Sequence, residues 1–126
     1  MKEVKVVIDI ARSARVTLSG DEALRLLAVI KEMKGPTRDL TEAYRIIASF
    51  EEYYNYSRRR FEDYIFVPKD PRESLEGKTV IQKLRLIRNE GDFVEIVFDR
   101  RMDLNTIIEA LKTIGYEKVD VISQSF

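Results

Sequence analysis

Two residue types with specialised chemistry are missing from this chain of 126 residues, which contains no cysteine and no histidine. Without cysteine the chain forms no disulfide, no thiolate metal site and no thiol nucleophile. Without histidine it lacks the commonest general base, the usual zinc ligand and the side chain that titrates near neutral pH. Catalysis would have to use carboxylates, lysine, arginine, tyrosine or hydroxyl groups with a hard cation such as magnesium. The sequence predicts no cofactor.

Long apolar runs are also missing. No stretch approaches the roughly 20 consecutive apolar residues that cross a bilayer. The first residues, Met-Lys-Glu-Val-Lys, lead into an alternating pattern rather than the apolar segment of a signal peptide. We therefore expect a cytoplasmic protein that does not bind membranes.

Neither sign of charge is in excess, because 22 Lys and Arg balance 22 Asp and Glu. The basic excess that is typical of nucleic-acid-binding proteins is therefore missing. A hydrophobic fraction of 44% excludes a disordered chain, and the length fits one domain, 1–126. The scarcity of Asn and Gln beside abundant Glu, Lys and Arg is typical of proteins selected at high temperature, and we expect a thermophilic source.

The strands are read from alternation with a period of two. Residues 3–11 predict the first strand. Residues 16–18 either extend this strand or turn back as a short hairpin partner, and the sequence leaves both alternatives open. Two further runs, 79–89 and 93–99, are separated by a turn that contains glycine and predict a hairpin. Residues 119–122 predict the last strand.

The helices are read from capping residues followed by apolar residues at helical spacing. The predicted helices are 20–34 after the pair Ser19 and Glu22, 38–62 after the pair Asp39 and Glu42, and one that begins after Asp103. In chain order the elements read β-α-α-β-β-α-β. This order predicts an α+β fold of the ferredoxin-like, split β-α-β kind, with a four-stranded antiparallel sheet and an extra long helix. The helical excursion at 38–66 lies between the first and second main strands.

The helices of this topology cover one face of the sheet, and strand parity predicts the residues of the other, open face. The open face is predicted to carry Val7, Asp9, Ile81, Lys83, Arg85, Ile87, Phe93, Glu95, Val97, Asp99, Asp120 and Ile122. Half of them are sizeable apolar residues, more than a freely solvated surface normally shows. Either the aromatic end of the long helix folds across this face, or another chain packs against it.

We therefore expect a non-catalytic binding module that acts through self-association, as a homodimer, or through a protein partner. In either case the partner would contact the open face of the sheet, since that face carries the unexplained apolar surface. The predicted partner-binding residues are Ile81, Phe93, Val97 and Ile122.

An aromatic and basic cluster supports a second hypothesis, a module that binds single-stranded nucleic acid. Residues 44–66 hold eight of the twelve aromatic residues. In such modules rings stack on bases while arginine contacts phosphate. The candidate residues are Tyr53, Tyr56, Arg58, Arg59 and Arg60. In the structural alternative, the consecutive arginines point in different directions and pair with neighbouring carboxylates.

Asp9 in the first strand and Asp92 in the predicted hairpin support a third hypothesis. Their placement resembles that of the metal-binding carboxylates in the palm domains of polymerases and diguanylate cyclases. The resemblance implies a metal-dependent nucleotide enzyme with Asp9 and Asp92 as ligands. The sequence departs from that pattern because a single glycine precedes Asp92 and no Gly-rich phosphate loop is present.

Two other charged groups lie on or beside the strands. One shares the open face by parity and comprises Asp9, Glu95, Asp99 and Asp120. These carboxylates either bind a divalent cation or pair with nearby lysines and arginines. The other group, Arg100 and Arg101, lies between a strand and a helix start, where either an anion or solvent alone contacts it.

Overall fold

The computed structural model describes residues 2–124, which form an α+β fold with a mixed six-stranded sheet and five helices. The strands are β1 (Glu3–Ile8), β2 (Ala14–Ser19), β3 (Ile65–Phe66), β4 (Ile81–Arg88), β5 (Asp92–Phe98) and β6 (Lys118–Ser123). The helices are α1 (Gly20–Lys34), α2 (Arg38–Ala48), α3 (Phe50–Arg59), α4 (Pro71–Leu75) and α5 (Leu104–Thr113). Within residues 2–124, no helix combines the length and the hydropathy that crossing a bilayer requires.

The strand order is β3-β4-β5-β2-β1-β6, so the predicted four-stranded antiparallel sheet is wrong in its number of strands. The observed sheet is also mixed rather than antiparallel, because β1 and β6 pair in parallel. The Asp9 carboxylate accepts hydrogen bonds from the backbone N–H groups of Ala11 and Ser13, both at 2.9 Å, and Arg12 takes a φ of 68°. This turn reverses the chain and makes β2 a separate strand. The ferredoxin-like arrangement is not confirmed, because β2 separates β1 from β5.

The single helix predicted at 38–62 is two helices, α2 and α3, that meet at Ser49. Ser49 has a φ of −106° and a ψ of 44°, outside the helical region. Serine tolerates such a break because its hydroxyl competes for backbone hydrogen bonds and it is a weak helix former. After α3 the chain returns to the sheet as β3, which covers part of the outer edge of β4.

Helices α1, α2 and α5 pack on one face of the sheet and enclose the core. The sheet residues that face the helices are buried or half-buried. They are Val4, Val6, Ile8, Leu84, Leu86, Val94, Ile96, Phe98 and Val119. Val121 is the exception, with 42% of its surface exposed, since β6 forms an edge of the sheet.

A β-bulge at the start of β4 changes the face that its first residue occupies. Ile81 lies opposite Phe98 whereas Lys83 lies opposite Val97, so Gln82 is an inserted residue. Ile81 therefore faces the helices and has no exposed surface. Its predicted place on the open face is wrong, because strand parity carries no signal of an inserted residue.

A buried carboxylate joins α2 to the start of β4. Thr37, rather than Asp39, caps α2, and its hydroxyl accepts a hydrogen bond from the N–H of Leu40 at 3.4 Å. Asp39 in the first turn has no exposed surface. Its Oδ2 accepts hydrogen bonds from the backbone N–H groups of Val80 and Ile81 at 2.8 and 2.7 Å. The positive end of the helix also favours a carboxylate there, so Asp39 fixes α2 against the sheet.

Phe61→Gly is expected to raise the free energy of unfolding by about 1 kcal/mol. Phe61 has a φ of 55°, where a side chain is strained, and its ring packs little because 95% of the residue is exposed. The N–H of Glu62 donates to the carbonyl of Ser57 at 3.0 Å, which closes the helix in a geometry that glycine normally supplies.

Urea unfolding followed by circular dichroism measures this change. Arg58→Gly is the control, because a glycine inside the last turn of α3 is expected to lower the free energy of unfolding by about 1 kcal/mol. A Phe61→Gly variant that is less stable than the parent chain would contradict the proposed strain.

Candidate functional site

A cleft of about 510 Å³ opens at the end of the sheet where β1 and β5 finish and β2 and β4 begin. Its charged lining residues are Asp9, Arg15, Lys69, Lys83, Asp99, Arg100 and Arg101. These five cations and two carboxylates give the cleft a formal charge of +3, whereas the whole chain has a formal charge of zero. Positive charge is therefore concentrated here, in a concave site that focuses its field. We refer to this site as the basic cleft.

The two carboxylates of the basic cleft are held by arginines and by backbone N–H groups. Asp9 accepts a hydrogen bond from Arg15 Nε at 2.9 Å, in addition to its bonds within the turn. Asp99 accepts hydrogen bonds from the backbone N–H of Arg101 at 2.9 Å and from its Nε at 3.2 Å. Burial by itself raises the pKa of both carboxyls, but these hydrogen bonds outweigh it and lower each pKa below its ordinary value. Both carboxylates therefore stay ionised and position their arginines.

Three cations of the basic cleft form no salt bridge among residues 2–124. Within residues 2–124, every salt bridge of the cleft involves Arg15 or Arg101. Lys69, Lys83 and Arg100 therefore converge on the cleft without an ion pair. Like charges that converge in this way repel one another, and a bound anion relieves that repulsion.

The β-bulge brings two consecutive residues of β4 to the basic cleft. Gln82 and Lys83 both line it, although neighbours on a regular strand point to opposite faces. Lys83 Nζ also lies 4.4 Å from the ring centroid of Tyr64 and 5.6 Å from that of Phe66. The bulge therefore places an ammonium group between the cleft and two aromatic rings.

Hydrogen bonds of Tyr64 hold the segment after α3 against the open face of the sheet. Arg15 Nη1 donates to the Tyr64 hydroxyl at 2.8 Å, and this hydroxyl donates to Glu95 Oε1 at 2.7 Å. Burial raises the pKa of Tyr64, and the bond to Glu95 raises it further, so the hydroxyl keeps its proton. Val97, which lies between Arg15 and Lys83 in the strand register, has no exposed surface. The aromatic end of the helical excursion at 38–66 therefore covers this part of the open face.

The predicted partner-binding residues do not form one exposed patch. Ile81 and Val97 have no exposed surface, whereas Phe93 and Ile122 are 37% and 42% exposed. Phe93 lies at the start of β5 and Ile122 near the end of β6, with β2 and β1 between the two strands. Only two of the four predicted partner-binding residues, Phe93 and Ile122, are therefore exposed, and they lie apart from each other.

The predicted nucleic-acid cluster lies on and just after α3, and none of its residues lines the basic cleft. Tyr53 is half-buried against the core. Tyr56 is 45% exposed, and the guanidinium carbon of Arg60 lies 5.3 Å from its ring centroid. Arg58 and Arg59 are exposed as well. Tyr56 and the three arginines are thus accessible, whereas Tyr53 mainly serves packing.

The structure does not bring Asp9 and Asp92 together. Asp9 follows the end of β1, Asp92 begins β5, and these two strands run in the same direction. The two carboxylates therefore lie at opposite ends of the sheet, about 20 Å apart along the strands. Among residues 2–124, no three acidic side chains converge as a metal site would require. Asp9 and Glu95, predicted as ligands of a divalent cation, share Arg15 instead.

The sequence pointed to the pair Arg100 and Arg101 at a strand end, and to Asp9 and Asp99 as cation ligands or partners of nearby lysines and arginines. Arg15, Lys69 and Lys83 were missed as members of a site, because they come from three separate segments and carry no local motif. The only signal for these three residues in the sequence is that lysine and arginine occur near the ends of strands. Lysine and arginine are equally expected there when they contact only solvent.

The chain was compared with protein-family models, with curated proteins and with solved structures, and none of them matches it. The geometry and the charges of the basic cleft therefore carry the functional proposal.

The free energy of unfolding is expected to fall when the pH is lowered below about 4. The folded-state pKa values of Asp9 and Asp99 lie below the ordinary value of 3.8. Between the two values the unfolded chain binds more protons than the folded chain. The stabilisation is therefore complete above the ordinary pKa and is lost as the pH falls through the folded pKa.

Urea unfolding midpoints measured near pH 7, 5 and 3 check this sign. We expect closely similar midpoints at the two higher values and a lower one at the third. Asp99→Asn should reduce the drop in the urea midpoint between pH 5 and pH 3. Asp103→Asn, a change at an exposed residue, should retain most of that drop. A midpoint that is equal at all three pH values would contradict the account.

Proposed function

We propose that the protein is a non-catalytic binding module whose basic cleft holds a phosphate-bearing polyanion. The observation that supports it is the convergence of Lys69, Lys83 and Arg100, which form no salt bridge among residues 2–124, in a chain of zero formal charge. Phosphate oxygens are strong acceptors for ammonium and guanidinium groups. The proposal keeps the cytoplasmic location that the sequence predicts.

The size of the basic cleft favours a polyanion over a single small ion. Its volume of about 510 Å³ lies in the range of sites that hold drug-sized ligands. Lys69 and Arg100 are exposed, whereas Lys83 is half-buried. Successive phosphates of an extended ligand can therefore meet different cations.

Binding rather than turnover is proposed because the carboxylates of the cleft are already engaged. Asp9 and Asp99 accept hydrogen bonds from arginines and from backbone N–H groups. A general base needs an accessible lone pair within reach of the proton that it removes. These two side chains act instead as supports for Arg15 and Arg101.

Inorganic tripolyphosphate tests the basic cleft with a ligand that has charge but neither base nor sugar. The double variant Lys69→Gln with Arg100→Gln is expected to weaken binding about tenfold at low salt, measured by isothermal titration calorimetry. The control, Lys34→Gln with Arg45→Gln, removes the same charge from exposed positions on α1 and α2. It should bind within about twofold of the parent chain, since it leaves the cleft intact. A parent chain that does not bind, or equal losses in both variants, would refute the proposal.

Self-association is a second candidate function, which the edge strand β6 favours. Within residues 2–124 β6 pairs only with β1, and Val121 and Ile122 are each 42% exposed, on opposite faces. An unpaired edge can add a second copy of the same strand. An antiparallel register centred on Val119 sets Lys118 opposite Asp120 of the second copy in two symmetric pairs, which favours this pairing.

Light scattering tests this homodimer. The parent chain is expected to show twice the mass of one chain at high concentration, and Val121→Lys is expected to be monomeric. Leu75→Lys, which places the same charge at a residue that is 89% exposed, should stay dimeric. A monomeric parent chain would rule this candidate out.

A further inference from the structure

We infer that the polyanion is a single-stranded nucleic acid, and that Tyr64 and Phe66 form the surface on which its bases stack. The inference rests on the proposed function and adds the class of ligand. It places the bases next to the basic cleft, on β3 and the segment before it, rather than on the arginine-rich α3.

Lys83 makes the cleft and the aromatic surface continuous. Its side chain lines the basic cleft, and its Nζ lies 4.4 Å and 5.6 Å from the ring centroids of Tyr64 and Phe66. A strand whose phosphate contacts Lys83 therefore has the attached base within reach of both rings. Stacked bases and adjacent cations are the combination that single-strand-binding proteins use.

The two rings differ in their hydrogen bonds and in exposure. Tyr64 is fixed by hydrogen bonds to Arg15 and Glu95, so its ring is preorganised. Phe66 lies opposite Lys83 in the β3–β4 register and leaves 68% of its surface exposed. An apolar ring this exposed is not needed for packing, and it offers a free face to a base.

Acidic residues beside the rings orient the strand. Glu62 and Asp63 line a hollow of about 650 Å³ together with Tyr64, Phe66 and Tyr56 of α3. Carboxylates repel phosphates but accept hydrogen bonds from the amino groups of bases. The backbone therefore runs through the basic cleft and the bases turn toward the hollow. A duplex does not fit this arrangement, because its bases are already stacked and paired inside the helix.

The test compares a single strand of about twelve nucleotides with an abasic strand of the same backbone, by fluorescence anisotropy at low salt. The base-bearing strand is expected to bind at least about tenfold more tightly, in DNA or RNA form. Phe66→Leu should reduce its affinity at least about fivefold, with the remaining base-dependent affinity due to Tyr64, and leave the abasic strand unchanged. Tyr44→Leu, which removes an aromatic residue that is 44% exposed on α2, is the matched control and should change neither affinity.

A fluorescence measurement keeps the inference testable if Phe66→Leu fails to fold. The chain contains no tryptophan, so Phe66→Trp introduces the only indole, and stacking of a base on it should quench its emission. The abasic strand should leave that emission unchanged.

The outcomes separate the two proposals. Equal affinities for the base-bearing and abasic strands, without quenching, would overturn base stacking while the basic cleft stands. Binding of tripolyphosphate without binding of either strand would overturn the nucleic-acid ligand. Failure of tripolyphosphate and of both strands to bind would remove the proposed function itself.

Discussion

Replacing Asp39 by alanine is expected to lower the free energy of unfolding by about 4 kcal/mol. Asp39 has no exposed surface, and its Oδ2 accepts hydrogen bonds from the N–H groups of Val80 and Ile81. The variant leaves two buried N–H donors without a partner, and each unsatisfied donor costs about 1–3 kcal/mol. Urea unfolding followed by circular dichroism measures the loss.

Asp103→Ala is the matched control, because Asp103 is an exposed N-cap whose carboxylate accepts a hydrogen bond from the N–H of Asn105. Loss of such a cap costs about 1 kcal/mol. Asp39→Asn, which keeps one acceptor oxygen, should fall between the two alanine variants. If Asp39→Ala is no less stable than Asp103→Ala, the buried carboxylate does not fix α2 to β4.

Replacing Lys69 and Arg100 together by glutamine is expected to weaken single-strand binding at least about tenfold near 50 mM salt. Each phosphate contact that releases a counterion contributes about −0.7 to the slope of log affinity against log salt for single strands. Losing two contacts should therefore flatten this slope by about 1.4. Anisotropy titrations at several salt concentrations give both quantities.

Arg58→Gln with Arg59→Gln is the control for this prediction. It removes the same amount of charge from the exposed end of α3, which the sequence had indicated as the nucleic-acid surface. We expect affinity within about threefold of the parent chain and a slope changed by less than about 0.5. The reverse result, with the larger loss in the α3 variant, would move the binding surface to α3.

Local signals predicted much of the fold. The capping pair Ser19 and Glu22 does start α1, where the Ser19 hydroxyl accepts a hydrogen bond from the N–H of Glu22. Alternation also placed β4 and β5 close to their observed bounds. These features were readable because each depends on residues close together in the chain.

Three features of the fold lacked such a signal. The turn after β1 contains no glycine, and Arg12 adopts a left-handed conformation that residues of its type rarely take. The break at Ser49 interrupts a helical pattern that continues on both sides. The bulge at Gln82 is visible only in the pairing of β4 with β5, and it moved Ile81 to the other face.

The candidate site could be predicted only in part, because its residues are distant in the chain. Arg100 and Arg101 stood out as adjacent cations at a strand end. Lys69 and Lys83 lie far from these arginines in the chain, and only the folding of the chain brings all four residues to one cleft. The formal charge of zero did not indicate the positive charge of the basic cleft, because net charge is summed over the whole chain and hides a local excess. Tyr64 was counted among the aromatic residues, but its bond to Glu95 spans 31 residues and has no local pattern.

Backbone amide NMR spectra recorded during titration with a single-stranded oligonucleotide locate the binding surface most directly. We predict the largest chemical-shift changes at Lys69, Lys83, Arg100 and Phe66, with small changes at Arg58 and Arg59 on α3. Largest changes around residues 58–60, or no change at these four residues at low salt, would contradict the assignment of the basic cleft as the binding site.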